Sequence, residues 1–118
     1  MHQNYGALAE FRLIYLREAH AVDGDSPPRA AGAPCVEDPV TLEERTALAQ
    51  RFAHESDLAA IPLLVDGMDD AAGIAYAAAP DRLYLIGAAG RVLWKSGKGP
   101  AGFDPAGLEA AIRTALGL

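Results

Sequence analysis

The chain has 118 residues, a hydrophobic fraction of 51% and a formal net charge of −6. With a mean hydropathy of +0.07, this composition reads as globular rather than disordered and predicts a single domain over residues 1–118, large enough to bury a core. Interspersed acids and bases argue against a phosphate-binding surface and a nucleic-acid partner, no run approaches the roughly 18 apolar residues of a membrane span, and the missing apolar signal core makes a cytoplasmic location the expectation.

Residues 1–10 read as a short helix. Phe11 to Leu16 is apolar nearly throughout, with aromatic and β-branched members, and predicts a buried strand. It runs directly into Arg17-Glu18-Ala19-His20-Ala21-Val22-Asp23-Gly24. In an open α/β sheet the carboxyl ends of strands are where ligands and chemistry collect. Glu18 and His20 are two residues apart and share a face if the extended chain continues past Leu16. They are the candidate catalytic pair: an imidazole near its ordinary pKa passes protons, and a carboxylate orients it or binds substrate. The plain alternative is a loop histidine beside a solvated carboxylate. Ala19 to Val40 carries four prolines, Pro27, Pro28, Pro34 and Pro39, and predicts a long loop. Such a length inside a compact domain marks a functional or a disordered segment. The loop holds Cys35, the only thiol, so an internal disulfide is excluded. Cys35 reads first as an incidental free thiol and second as a nucleophile or resolving thiol.

Thr41-Leu42-Glu43-Glu44 has the form of a capping box, with Thr41 as N-cap and Glu44 at the third helical position. The helix it opens is expected to reach about His54, with Leu42, Arg45, Ala49, Phe52 and Ala53 on its inner face. Leu63 to Val65 predicts a short buried strand, and a short alanine-rich helix follows, capped by Asp69 or Asp70. Asp66, Asp69 and Asp70 flank Gly67. Paired carboxylates can hold a hard cation, but the spacing does not fit an EF-hand loop, and capping explains them better. Arg82 to Ile86 and Arg91 to Ser96 predict a hairpin across Gly87-Ala88-Ala89-Gly90. The Gly97 to Gly102 loop lacks the lysine and hydroxyl pair of a phosphate cradle. Asp104-Pro105 opens a last helix that ends at Gly117. His2 and His54 have no partner at ligand spacing, so no metal site is expected. The order β-α-β-α-β-β-α predicts an α/β protein with a mixed sheet flanked by helices.

These segments carry a resemblance. Tyr15, Leu16, Glu18, Ala19, His20, Asp23 and Gly24 match a Y-I/L-x-E-A-H-x-x-D-G-W segment, with Asp25 where tryptophan would stand. Leu42-Glu43-Glu44-Arg45 resembles an L-x-x-R helix start, and Pro62 to Asp70 resembles P-V-V-V-D-x-M-x-N/D. Tyr76 to Ile86 is similar to Y-x-A-x-P-x-R-L-Y-V-I. Gly90-Arg91-Val92 and Gly97 to Phe103 are similar to G-R-V/I and G-x-G-P-x-x-Y/F. In this order, from about Glu10 to the last helix, the blocks resemble the iodothyronine deiodinases and their bacterial deiodinase-like relatives, a family that includes selenoproteins. The resemblance implies a thioredoxin-like domain of the peroxiredoxin and deiodinase type. It also implies an oxidoreductase that removes iodine reductively from an aryl ring, with an external thiol reductant and no bound cofactor. Glu18 and His20 then line the active site. Arg82, which opens a strand just after Pro80-Asp81, supplies a supporting charge that lowers a thiol or selenol pKa, against the plain reading of a surface salt bridge. In that strand Asp81 rather than Pro80 is expected nearest the position of a cis-proline.

The family's reactive selenocysteine or cysteine lies upstream of the Phe11 strand, between a first strand and a helix. The resemblance therefore implies a chain that is N-terminally incomplete, without its first strand and nucleophile segment, and inactive as it stands. Two other readings stay open: a non-catalytic binding module or remnant, and a peroxiredoxin-like peroxidase using Cys35. The expected partner is a small aryl halide or thiol/disulfide substrate, with no nucleic acid and no membrane. Strand edges left unpaired by a missing strand invite self-association.

Overall fold

The computed structural model describes residues 1–17 and 39–118. Over these residues the chain divides into two compact units, one formed by Phe11–Tyr76 and the other by Met1–Glu10 together with Ala77–Leu118.

In the Phe11–Tyr76 unit, β1 (Leu13–Tyr15) pairs in parallel with β2 (Leu63–Val65), with Leu13 opposite Leu63 and Tyr15 opposite Val65. The ladder extends beyond both strands, through Leu13 N–H to Pro62 O and Asp66 N–H to Tyr15 O. The strand expected over Phe11 to Leu16 is shorter because its partner has only three residues to offer. Between the strands, α2 (Leu42–Glu55) packs on β2. Thr41 caps α2 as expected, its hydroxyl accepting from Glu44 N–H at 3.1 Å. The reciprocal arm reaches one residue further back, since the Glu44 carboxylate accepts from Val40 N–H rather than from Thr41. Arg45, Ala49 and Ala53 form the buried stripe at the spacing of one helix face. Phe52 lies half-buried with its ring 5.6 Å from that of Tyr15, tilted by 55°. Leu42, expected on the inner face, is instead 45% exposed. The unit ends in α3 (Ala71–Ala75).

In the other unit, α1 (His2–Tyr5) precedes a hairpin of β3 (Tyr84–Ile86) and β4 (Val92–Lys95), followed by α4 (Pro105–Leu116). The strands are antiparallel: Tyr84 faces Lys95, Leu85 faces Trp94, and Ile86 faces Val92. The register slips between Leu85 and Ile86, which leaves Leu93 as the extra residue of a bulge. Helix α4 packs on both strands. It meets the Trp94 side of the hairpin, since a Cβ at Gly107 would come within 2.8 Å of the Trp94 ring. The helix begins as its sequence predicts, with the Asp104 carboxylate accepting from Gly107 N–H at 2.9 Å and Pro105 in the first turn, and it ends at Gly117 in a left-handed conformation. Tyr5 is buried, donates to Glu109 Oε1 at 2.9 Å and accepts from Arg113 Nη1 at 3.3 Å, tying α1 to α4.

The α/β class is as expected. The single mixed sheet is not: among the described residues there are two separate two-stranded sheets, β1–β2 and β3–β4. No strand pairing among these residues joins the two ladders.

Candidate functional site

The carboxyl end of β1 is the place where sequence puts the chemistry. Leu16 and Arg17 are the last described residues there; Glu18, His20 and Cys35 lie outside the described residues.

Beside this strand end, the β2–α3 loop is built around a charged cluster. Arg45 reaches it from α2 and is only 2% exposed. Its Nη1 donates to the carbonyls of Asp66 at 3.1 Å and Gly67 at 2.7 Å, and its Nη2 pairs with Asp70 Oδ1 at 3.0 Å. The Nε is buried without a partner. A guanidinium suits the position because its planar fork of donors meets two carbonyls and a carboxylate together, which an ammonium does not.

Asp66 is buried as well. Its two carboxylate oxygens accept from Ala72 N–H at 2.9 Å and Gly73 N–H at 2.8 Å, the orphan donors of the first turn of α3. Burial pushes its carboxyl pKa up, but the N–H groups of Gly73, Ala72 and Gly67 and the Arg45 charge outweigh it and hold the value below normal. The helix is thus capped from four residues before its N-cap. Asp70 sits at the N-cap with left-handed backbone and makes no side-chain cap bond, while Asp69 accepts from Ala71 N–H at 3.2 Å. The expectation that Asp69 or Asp70 caps α3 is met in part by Asp69, and Asp66 does most of the capping. Among the described residues no group of three His, Cys, Asp or Glu side chains is placed to hold a metal ion. Arg45 is the residue whose role sequence reasoning missed. The signal was there, in an arginine on the inner face of an otherwise alanine-lined helix.

Arg82 belongs to the other unit. Its Nε donates to Ser96 O at 2.7 Å and its Nη1 to Ala77 O at 3.3 Å, and its guanidinium carbon lies 5.8 Å from the centre of the Tyr84 ring. Carbonyls and an aromatic face hold it. Ser96, buried at the end of β4, accepts from Leu83 N–H and donates to Gly97 O, while its own N–H reaches Leu83 O. The Gly97 to Gly102 loop folds onto this knot through Gly99 N–H to Asp81 O at 3.0 Å. A Cβ at Gly99 would overlap the Asp81 carboxylate, so the close approach requires glycine there. The cis peptides of this region precede Pro80 and Pro100, so the cis-proline is Pro80 itself and not the neighbouring Asp81 position.

The chain matches the family model described as iodothyronine deiodinase over residues 1–115. It is 32% identical over 101 residues to a type I iodothyronine deiodinase of Xenopus laevis, covering 86% of this chain and 38% of that protein. It is 34% identical over 106 residues to a thyroxine 5-deiodinase of Sparus aurata, covering 84% and 35% of the two chains. A thyroxine 5-deiodinase of Gallus gallus is 35% identical over 96 residues, covering 81% and 35%. The chain therefore spans little more than a third of the length of these relatives. The matches correct the expected cytoplasmic location, because the deiodinase relatives are membrane-associated. No described helix is long and apolar enough to cross a membrane, but a missing span in one stretch of sequence does not assign a compartment. Across nearly all of its length, this chain belongs to the iodothyronine deiodinase family.

Proposed function

We propose that this chain forms part of a thioredoxin-like oxidoreductase that removes iodine reductively from an aryl ring of the iodothyronine type. The observation that carries this reading is the family match over residues 1–115, supported by relatives named as iodothyronine and thyroxine deiodinases. In this chemistry a selenolate or thiolate takes the iodine from the ring as a chalcogen–iodine species, and the ring carbon takes a proton in its place. One external thiol then attacks that species and releases iodide, forming a mixed chalcogen–sulfur bond, and a second thiol displaces the nucleophile as the two thiols leave oxidised to a disulfide. The residues of this chain serve the proton and the substrate. His20 donates the proton, and Glu18 orients the imidazole or binds substrate. Arg82 serves as a supporting positive charge, its guanidinium held by the carbonyls of Ser96 and Ala77. The only thiol in these 118 residues is Cys35, which follows β1 in the chain where the family's nucleophile precedes the corresponding strand. The 118 residues alone are therefore expected to lack deiodination.

Iodide release from thyroxine in the presence of dithiothreitol tests this reading. It is measured for the 118 residues alone and for the same residues carrying an upstream strand–Cys–helix segment. Release confined to the extended polypeptide, and lost in His20→Ala and Glu18→Gln, is the expected result. No release from either polypeptide, or release by the 118 residues that survives Cys35→Ser, overturns it.

A further inference from the structure

Arg45 occupies a place where an arginine is costly. It is buried and its Nε has no acceptor, and a buried donor left unpaired lowers stability. Buried charges often add no stability over apolar side chains of similar volume. What the guanidinium supplies is direction. It holds the carbonyls of Asp66 and Gly67 and the carboxylate of Asp70, so both ends of the β2–α3 loop are fixed to α2.

That loop meets the end of β1 in two ways. The Asp66 N–H donates to Tyr15 O at 2.9 Å and closes the β1–β2 ladder among the described residues. The Asp66 carboxylate accepts from the N–H groups of Ala72 and Gly73, and a Cβ at Gly73 would lie 3.7 Å from Leu16 Cδ2. A helix as short as α3, with five residues, is marginal by itself and depends on such contacts for its place. The backbone of Tyr15 and the side chain of Leu16 therefore rest on groups that Arg45 and Asp66 set in position. In the sequence, Glu18 and His20 follow Leu16 by two and four residues.

We propose that Arg45 is a positioning residue for deiodination: through the β2–α3 loop it fixes the end of β1, from which the Glu18–His20 segment departs. The inference rests on the reading that Glu18 and His20 serve the reaction. Arg45 touches no reacting atom and acts through Asp66 and Tyr15. A displacement of about 1 Å at a reacting group can lower the rate on the order of a hundredfold, so the loop's conformation bears on turnover as well as on stability.

Hydrogen exchange in the 118-residue chain tests the structural half. It compares the Asp66 amide, bonded to Tyr15 O, with the Leu13 amide, bonded to Pro62 O at the other end of the ladder. In Arg45→Met, and more weakly in Asp70→Asn, exchange at Asp66 is expected to quicken well beyond that at Leu13. Thr41→Ala, which weakens α2 without touching the loop, is expected to move both amides together. Iodide release by the polypeptide carrying the upstream strand–Cys–helix segment tests the functional half, per folded molecule as measured by circular dichroism. Arg45→Met is expected to lower kcat by at least about tenfold with little change in KM, Arg45→Lys to restore part of kcat, and Thr41→Ala to leave kcat unaltered. Equal quickening of the two amides overturns the proposal. So does an undiminished kcat per folded molecule in Arg45→Met, or a raised KM with kcat intact. Should Arg45→Met fail to fold, Asp70→Asn decides by the same two measurements. Should the parent polypeptide release no iodide, the proposed function falls, and the two amides alone decide whether Arg45 holds the strand end.

Discussion

Arg45 shows how one side chain sets the conformation of a loop. Its guanidinium holds two successive carbonyls and Asp70, so its removal leaves buried acceptors unmatched. Breaking a buried charged cluster of this kind costs about 3 kcal/mol. Arg45→Met is expected to lower the stability of the Phe11–Tyr76 unit by about that amount, read as a fall in urea midpoint by circular dichroism. Arg45→Lys is expected to recover less than half, because an ammonium cannot reproduce the fork. An unchanged midpoint in Arg45→Met would show that the cluster adds nothing. Asp66 gives the pH dependence. Its folded pKa is depressed, so its contribution is present above the ordinary carboxylate range and lost as pH falls through the native value. In Asp66→Asn the acid limb of the stability profile is expected to flatten, while stability at neutral pH drops through weaker capping of α3. An acid limb identical to that of the parent chain would exclude Asp66 as its source.

At the scale of elements, the helix ends are where local chemistry governs. The hydroxyl of Thr41 and the carboxylate of Asp104 each satisfy an otherwise orphaned N–H of a first turn. Thr41→Ala and Asp104→Ala are each expected to cost about 1 kcal/mol, measurable by the same denaturation. Gly99→Ala acts differently. A methyl group there meets the Asp81 carboxylate, so the 97–102 loop has to lift from the β3–β4 end. The expected signature is faster hydrogen exchange at Gly99 and Leu83, with little change at α2. Unaltered protection of both amides would mean that the loop accommodates the methyl without leaving Asp81. The same close contact explains why a glycine-rich stretch stands here with no phosphate-binding sequence: its glycines admit neighbouring protein groups.

At the scale of the whole molecule, burial is thin. Among the described residues no large side chain is fully buried, and the buried apolar positions are Tyr5, Ala49, Ala53, Ala78 and Ile112. Alanine contributes little area, and a two-stranded sheet is marginal without further strands or extensive helix packing. Leu64 is 51% exposed at the centre of β2, and Ile74 is 73% exposed in α3. The 118-residue chain is therefore expected to unfold at low denaturant concentration and to self-associate. Sedimentation velocity over a range of protein concentrations should show an average mass that rises with loading. A single monomeric species across that range, with a sharp cooperative transition, would contradict the expectation.

The sequence by itself determined the local structure and the family. Capping residues and short apolar runs act over a few positions, so α2, β2 and α4 were legible almost to the residue. The blocks from Tyr15 to Phe103 carried the family because motif order survives where overall identity is near a third. Glu18 and His20 were legible as a motif at the end of a strand, and their place is the sequence's alone, outside the described residues. The tertiary structure decided what depends on distant partners. A buried arginine on α2 is held by two carbonyls and a carboxylate more than twenty residues later. The carboxylate that caps α3 comes from the end of β2 and not from the adjacent Asp70. Strand pairing, which no local signal encodes, divides the described strands into two sheets.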